Sequence, residues 1–162
     1  MGYGVQVDVA PGSGKPLAPS PAHPGHTREH DSERQLDVSV VFTSLRGTLS
    51  ALRKAGVHAR ELGGRITLVV PQIVPYPLPL ANPPILLELN EKRFCTIASE
   101  SHVQTTVRFY LCRDPWDTLV EVLRPRSVVV LGGRKRWWPT AEMRLARKLR
   151  GAGYDVVFVE TE

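Results

Sequence analysis

A chain of 162 residues has room for one domain and a tail, and a core of that size is stable without disulfides or metals. Hydrophobic residues make up 42% and charged residues 23%, which is typical of a globular protein and favours no particular function. The net charge of +5 permits a phosphate-rich partner without requiring one. The two cysteines, Cys95 and Cys112, lack the CxxC spacing of a zinc site, so we expect reduced, partly buried thiols.

The chain has no predicted membrane segment. Its start, MGYGVQVDVA, lacks the basic residues and the long apolar core of a signal peptide. The most apolar later stretch, IVPYPLPLANPPILLEL, is interrupted by prolines and is too short to span a bilayer. We therefore expect a cytoplasmic protein with no membrane partner.

Residues 1–34 are rich in Pro, Gly, Ser and His and show no periodicity, so we expect a flexible tail ahead of one domain at residues 35–162. The sequence PGSGKP in this tail lacks the first Gly and the final Ser or Thr of a phosphate loop. His23, His26 and His30 have no surrounding structure to hold three imidazoles around a metal. The composition favours a solvated linker.

Strand and helix patterns alternate from Leu36 onward. The β-branched run LDVSVVF predicts a buried strand, SLRGTLSALRKAGVHARELGG an amphipathic helix, and RITLVVPQIV a second strand. A Pro-rich loop then leads into a helix from about Pro84 to Ser99.

The second half of the chain repeats this alternation. TTVRFYLC predicts a third strand, DPWDTLVEVL a short helix capped by Asp114, and SVVVLGG a fourth strand. Thr140 then opens a helix that ends near Gly151, and YDVVFVE predicts a fifth strand. The alternation predicts a single α/β Rossmann-like domain, in which a five-stranded parallel sheet carries helices on both faces.

The fourth strand runs into a Gly-Gly turn and a helix, which is where many α/β proteins hold a phosphate. This turn carries five large side chains: Arg134, Lys135, Arg136, Trp137 and Trp138. Over residues 124–150, nine basic residues stand against one acid, Glu142. The tryptophans would form a base-stacking surface, but a Trp pair before a helix more often packs one ring on the core, and we favour that interpretation.

In this order the segments resemble the universal stress protein family, an adenine-nucleotide-binding branch of the Rossmann-like folds, over residues 36–160. Four local matches carry the resemblance: VSVVFTSLRGTLSALRKA, ELGGRITLVV, RDPWDTLVEVL and SVVVLGG. The resemblance implies the strand order 3-2-1-4-5 and a ligand crevice at the carboxyl ends of the first and fourth strands. It also implies ATP or another adenine nucleotide as the cofactor.

The chain departs from the nucleotide motif of that family. ATP-binding members carry an acid at the end of the first strand, where Thr43 stands here. They also carry a Gly-x-x-Gly, nine residues, Gly-Ser or Gly-Thr pattern, of which Gly132 matches only the opening glycine. Lys135, Leu145 and Ala146 replace the other glycines and the closing position. Two interpretations stay open: side chains of the basic turn hold the phosphates, or ATP binding is lost and the turn serves a partner.

The matched positions and their neighbours give the residues expected at the crevice: Thr43, Ser44, Gly132, Gly133, Arg134 and Lys135. We expect no catalytic residue and no metal site. The leading hypothesis is a non-enzymatic stress-response or regulatory domain that binds an adenine nucleotide weakly or not at all. The alternatives are an adenine-nucleotide-hydrolysing enzyme of the related α-hydrolase-like group and a basic module that binds polyanions or nucleic acid non-specifically.

Two kinds of partner are expected. The last strand is apolar and lies at a sheet edge in the implied order, and members of the family commonly pair through it, so we expect a homodimer. The basic turn predicts contact with a protein partner or a polyanion.

Overall fold

The computed structural model describes residues 5–11, 37–80, 87–99, 101–134 and 136–161. These residues form strands that alternate with helices after the second strand. The strands are β1 (Val5–Pro11), β2 (Asp37–Val41), β3 (Arg65–Ile73), β4 (Thr105–Cys112), β5 (Val128–Arg134) and β6 (Asp155–Thr161). The helices are α1 (Leu45–Glu61), α2 (Leu87–Ser99), α3 (Pro115–Val122) and α4 (Ala141–Gly151).

The strands form one parallel sheet in the order β1-β4-β3-β2-β5-β6. Counted from β2, this is the order 3-2-1-4-5, so the five predicted strands and their arrangement are confirmed. The β-branched runs form the central strands because their side chains are buried on both faces of a parallel sheet.

Strand β1 is an addition to the predicted sheet. It pairs with β4 from Val5, opposite Thr105, to Pro11, opposite Leu111. The segment lies in the stretch for which composition predicted a flexible tail, although VQVDV does alternate apolar and polar residues as a strand does. The remainder of that stretch, with PGSGKP and the three histidines, lies outside the described residues, as does the predicted helix start near Pro84.

Each face of the sheet packs against two helices and has its own apolar core. On the α1/α2 face the buried side chains include Val38, Val40, Leu52, Ala55, Leu68, Phe94 and Phe109. On the α3/α4 face they include Val41, Val69, Tyr110, Leu119, Leu131 and Leu149. The prediction of helices on both faces is confirmed.

Side-chain caps fix the starts of three helices. Ser44 accepts a hydrogen bond from the Gly47 N–H at the start of α1, and Asp114 accepts from Trp116 and Asp117 at the start of α3. Thr140 accepts from the Met143 N–H at the start of α4. No helix in the described ranges is both long and apolar enough to cross a bilayer.

Candidate functional site

The strand order reverses between β2 and β5. The chain leaves β2 for β3 on one side, whereas β5 lies on the other side and leads to β6. In open parallel sheets, a crevice forms at the carboxyl ends of two such strands and holds the ligand. Thr43 and Ser44 follow β2, and Gly132 to Arg134 end β5, so these predicted crevice residues lie at the same edge of the sheet.

Two glycines are in close contact at this edge of the sheet. Gly47, in the first turn of α1, lies with its backbone directly against the backbone of Gly132 in β5. A methyl group added to either glycine would overlap the carbonyl group of the other. Both residues are buried. The first turn of α1 is therefore packed closely against β5.

The predicted polar groups at this edge bond to the protein's own backbone. The Thr43 hydroxyl donates a hydrogen bond of 2.5 Å to the Gly132 carbonyl, and the Thr43 N–H donates to the Thr48 hydroxyl at 3.3 Å. The Ser44 hydroxyl accepts from the Gly47 N–H at 3.2 Å. The structure thus brings Thr43, Ser44 and Gly132 together, but their contacts hold α1 on β5.

The end of β5 is closed by α4. Gly133 is buried, and a methyl group on it would lie 2.9 Å from Cβ and 3.1 Å from Cγ of Glu142, with the Phe158 ring at 3.1 Å. Glu142 lies in the first turn of α4, where its negative charge complements the helix dipole. An acid of the protein itself therefore stands beside the helix end at which a phosphate would be expected.

The basic turn points into solvent. Arg134 and Arg136 are exposed, and Lys135 lies outside the described residues. Trp137 is 97% exposed and Trp138 is 79% exposed, so the prediction that one ring packs on the core is wrong. The turn between β5 and α4 is a surface of two arginines and two indole rings among the residues that the structure describes.

A second aromatic group lies at the carboxyl edge and was not foreseen from the sequence. Arg113, just after β4, donates hydrogen bonds of 2.5 Å to the Val74 and Leu78 carbonyls, and its guanidinium stacks 4.0 Å from the centre of the Tyr76 ring. These contacts fix the loop after β3 and leave Tyr76 81% exposed. In the sequence, the Pro-rich loop after β3 is visible, but Arg113, which holds it, lies 35 to 39 residues further along the chain.

The two thiols are reduced, as predicted, and Cys112 is buried. Burial raises the pKa of the Cys112 thiol, and the charge of Asp114 raises it further, while a hydrogen bond with Thr118 opposes the shift. A thiol with a raised pKa is a poor nucleophile at neutral pH. Cys112 has the environment of a structural residue.

No family model and no curated protein matches the sequence. Among solved structures, the chain is similar to a protein of the universal stress protein family from Burkholderia pseudomallei, at 17% identity and a TM-score of 0.54 over 77% of this chain and 96% of that one. It is similar to a universal stress protein in complex with cAMP, at 19% identity and a TM-score of 0.54 over 78% and 98% of the two chains. A universal stress protein from Archaeoglobus fulgidus gives 17% identity and a TM-score of 0.57 over 81% and 98%. The resemblance found in the sequence is thus confirmed in three dimensions: the chain has the fold of the universal stress proteins.

Proposed function

We propose that the chain is a cytoplasmic, non-enzymatic regulatory domain of universal stress protein type, whose carboxyl-edge crevice binds an adenine nucleotide weakly or not at all. The contact between Gly47 and Gly132 supports this proposal, because it holds the first turn of α1 closely against β5, beside the place where the fold offers a ligand crevice. The Thr43 hydroxyl, bonded to Gly132, would have to give up that bond to reach a ligand.

Charge at the edge supports the same conclusion. Glu142 stands against Gly133 at the start of α4, so a phosphate there would meet a carboxylate. Arg134 and Arg136 offer compensating charge, but both side chains are exposed and must be ordered on binding. A nucleotide held mainly by such side chains gains little net affinity.

Calorimetric titration of the full chain with ATP, ADP, AMP and cAMP, with and without Mg²⁺, tests the proposal. cAMP belongs in the series because a universal stress protein of this fold has been solved in complex with it. We expect dissociation constants of about 1 mM or weaker. Magnesium-dependent binding at micromolar concentrations would overturn the proposal, and nucleotide products on chromatography would favour the hydrolytic alternative.

The exposed arginines and indole rings of the turn also support weak polyanion binding. The same surface would be the contact site for a protein partner. Contacts made by arginine and lysine on phosphates weaken steeply with salt. Replacing Arg134, Lys135 and Arg136 by Glu should abolish retention on heparin, whereas the same change at Arg144, Arg147 and Lys148 should reduce it less. Lys148 already lies 5.2 Å from the centre of the Trp116 ring. The reverse ranking would move the anion surface to α4.

A homodimer is the second part of the proposal. β6 ends the sheet and pairs with β5 alone among the described strands, so one of its backbone edges remains available. Val157, Phe158 and Val159 on this strand are half-buried. Light scattering should give twice the chain mass of 18.0 kDa, and a monomer mass at all concentrations would exclude the dimer. Cell fractionation tests the cytoplasmic location.

A further inference from the structure

The helices of the described residues cover only part of the α3/α4 face of the sheet. α3 has eight residues, about 12 Å of helix, whereas β3 beneath it has nine residues, about 30 Å of strand. Leu119 of α3 packs with Val69 and Tyr110, near the middle of β3 and β4. Beyond the last residue of α3, Val122, a groove of 160 Å³ lies over the amino halves of β2, β3 and β4.

A row of hydroxyl groups crosses the floor of this groove. Ser39 in β2 is in register with Thr67 in β3, and Thr67 is in register with Thr106 in β4. Ser39 is 9% exposed and Thr67 and Thr106 are half-buried, and none of the three hydroxyls has a hydrogen-bond partner within the described part of the chain. Most positions on this face of the sheet are apolar, so the three adjacent hydroxyls form a polar strip within it.

A fourth hydroxyl lies in the wall of the groove. The Oγ atom of Ser127, in the turn before β5, is buried and has no hydrogen-bond partner in the described residues. Leaving a buried hydroxyl unpaired costs about 1–3 kcal/mol. A ligand that accepts hydrogen bonds from several of these groups would remove that cost.

Three arginines and one acid line the groove among the described residues: Arg65, Arg108, Arg124 and Asp37. Arg108 already has an interaction of its own. Arg124 pairs with Asp37 at 2.5 Å. Arg65 is exposed and has neither an ion pair nor a side-chain hydrogen bond in the described ranges. Its guanidinium is therefore available to an anion at the mouth of the groove.

From this arrangement we infer that the groove binds the phosphate group of a small phosphorylated molecule. The hydroxyls of Ser39, Thr67 and Thr106 donate to phosphate oxygens, and the Arg65 guanidinium supplies the charge-assisted contact, which is the stronger kind of hydrogen bond. The site lies over the amino halves of the strands, away from the carboxyl edge at which the basic turn stands. It does not depend on the function proposed for that edge.

Nuclear magnetic resonance titration of the isotopically labelled full chain tests the inference. The probes are inorganic phosphate, glucose 6-phosphate and glucose. We expect saturable shifts of the amide signals of Ser39, Thr67 and Thr106 with the two phosphate compounds, and none with glucose. Whichever phosphate compound binds more tightly identifies the free ion or the phosphate ester as the ligand class.

Substitutions then test which side chains bind the phosphate. Arg65→Gln and Thr67→Val should each weaken phosphate binding at least about tenfold, because each removes a hydrogen bond to a charged group. Arg60→Gln, an equally exposed arginine on α1, is the matched control and should bind as the wild type does. Circular dichroism checks that each variant is folded.

A further variant distinguishes phosphate binding in the groove from phosphate binding at the basic turn. If changing Arg134 and Arg136 to Gln removes the shifts while Arg65→Gln leaves them, phosphate binds at the basic turn and the inference fails. It fails equally if glucose shifts the same amides or if no amide of the groove responds to phosphate.

Discussion

Two regions of the same sheet differ in whether their hydroxyl groups have hydrogen-bond partners within the protein. At the carboxyl edge, where the fold offers a ligand crevice, the hydroxyl of Thr43 bonds to the backbone, and two glycine backbones are in direct contact. Over the amino halves of β2, β3 and β4, the hydroxyls of Ser39, Thr67 and Thr106 face a groove without partners in the described residues. The polar groups named at the first site are bonded within the protein, whereas those at the second have no partner in the described residues.

The difference shows why a fold does not by itself locate a function. The strand order fixes where the sheet can form a crevice, but the side chains at that edge determine what the crevice can bind. At positions 47 and 132 there is no room for a side chain. The length of α3 decides whether a polar row on the sheet is covered. Substitutions at these two regions should therefore have unequal effects on stability.

The largest effect should come from Gly132→Ala. Its methyl group would overlap the backbone of Gly47, which cannot move without displacing α1, so we expect the free energy of unfolding to fall by about 3 kcal/mol or more. Urea denaturation measures the change. Gly151→Ala is the matched control, because a methyl group there meets nothing within 4 Å and alanine favours a helix. Equal stability of the two variants would contradict the close approach of the two backbones.

A pair of adjacent threonines tests the contrast between satisfied and unsatisfied hydroxyls. Thr105 is fully buried on the α1/α2 face and bonds to the Val103 carbonyl at 3.0 Å and the Ser101 hydroxyl at 2.8 Å. Thr105→Val should lower the free energy of unfolding by about 2 kcal/mol, whereas Thr106→Val, in the groove, should change it by less than about 0.5 kcal/mol. Similar losses would mean that Thr106 has a partner.

The bond between Thr43 and Gly132 should have a smaller effect. Thr43→Val keeps the side-chain shape but leaves the Gly132 carbonyl without this donor, so we expect a loss of about 1 kcal/mol in the free energy of unfolding. Thr96→Val is the control, because that hydroxyl bonds to the Lys92 carbonyl on the exposed side of α2. If both variants lose the same amount, the Thr43 bond adds nothing to the closure of the edge.

The sequence was sufficient for the part of the structure that depends on local patterns. The β-branched runs predicted five strands, and the caps at Asp114 and Thr140 predicted two helix starts, because each depends on neighbours in the chain. β1 was missed because five alternating residues were outweighed by the Pro-, Gly- and Ser-rich stretch around them.

The two regions compared above depend on contacts between distant residues. Gly47 and Gly132 both matched ordinary turn and helix patterns, and only the approach of α1 to β5 shows why neither position has room for a side chain. The hydroxyls of Ser39, Thr67 and Thr106 are typical of strands, and only the register of β2, β3 and β4 places them in one row. Trp137 and Trp138 are exposed, whereas tryptophan side chains usually bury a large area, so the general preference gave the wrong prediction here.

The smallest expected effect concerns Cys112, which ends β4 beneath the part of the α3/α4 face that α3 covers. Burial raises the pKa of its thiol in the folded chain above the ordinary value of 9.0, so the folded state holds the proton more tightly than the unfolded state does. The stabilisation is complete below pH 9 and is lost as the pH rises through the folded pKa. Urea unfolding from pH 8 to pH 10.5 should show a steeper loss of stability for the wild type than for Cys112→Ala. Parallel curves would show that folding does not raise the pKa of the Cys112 thiol.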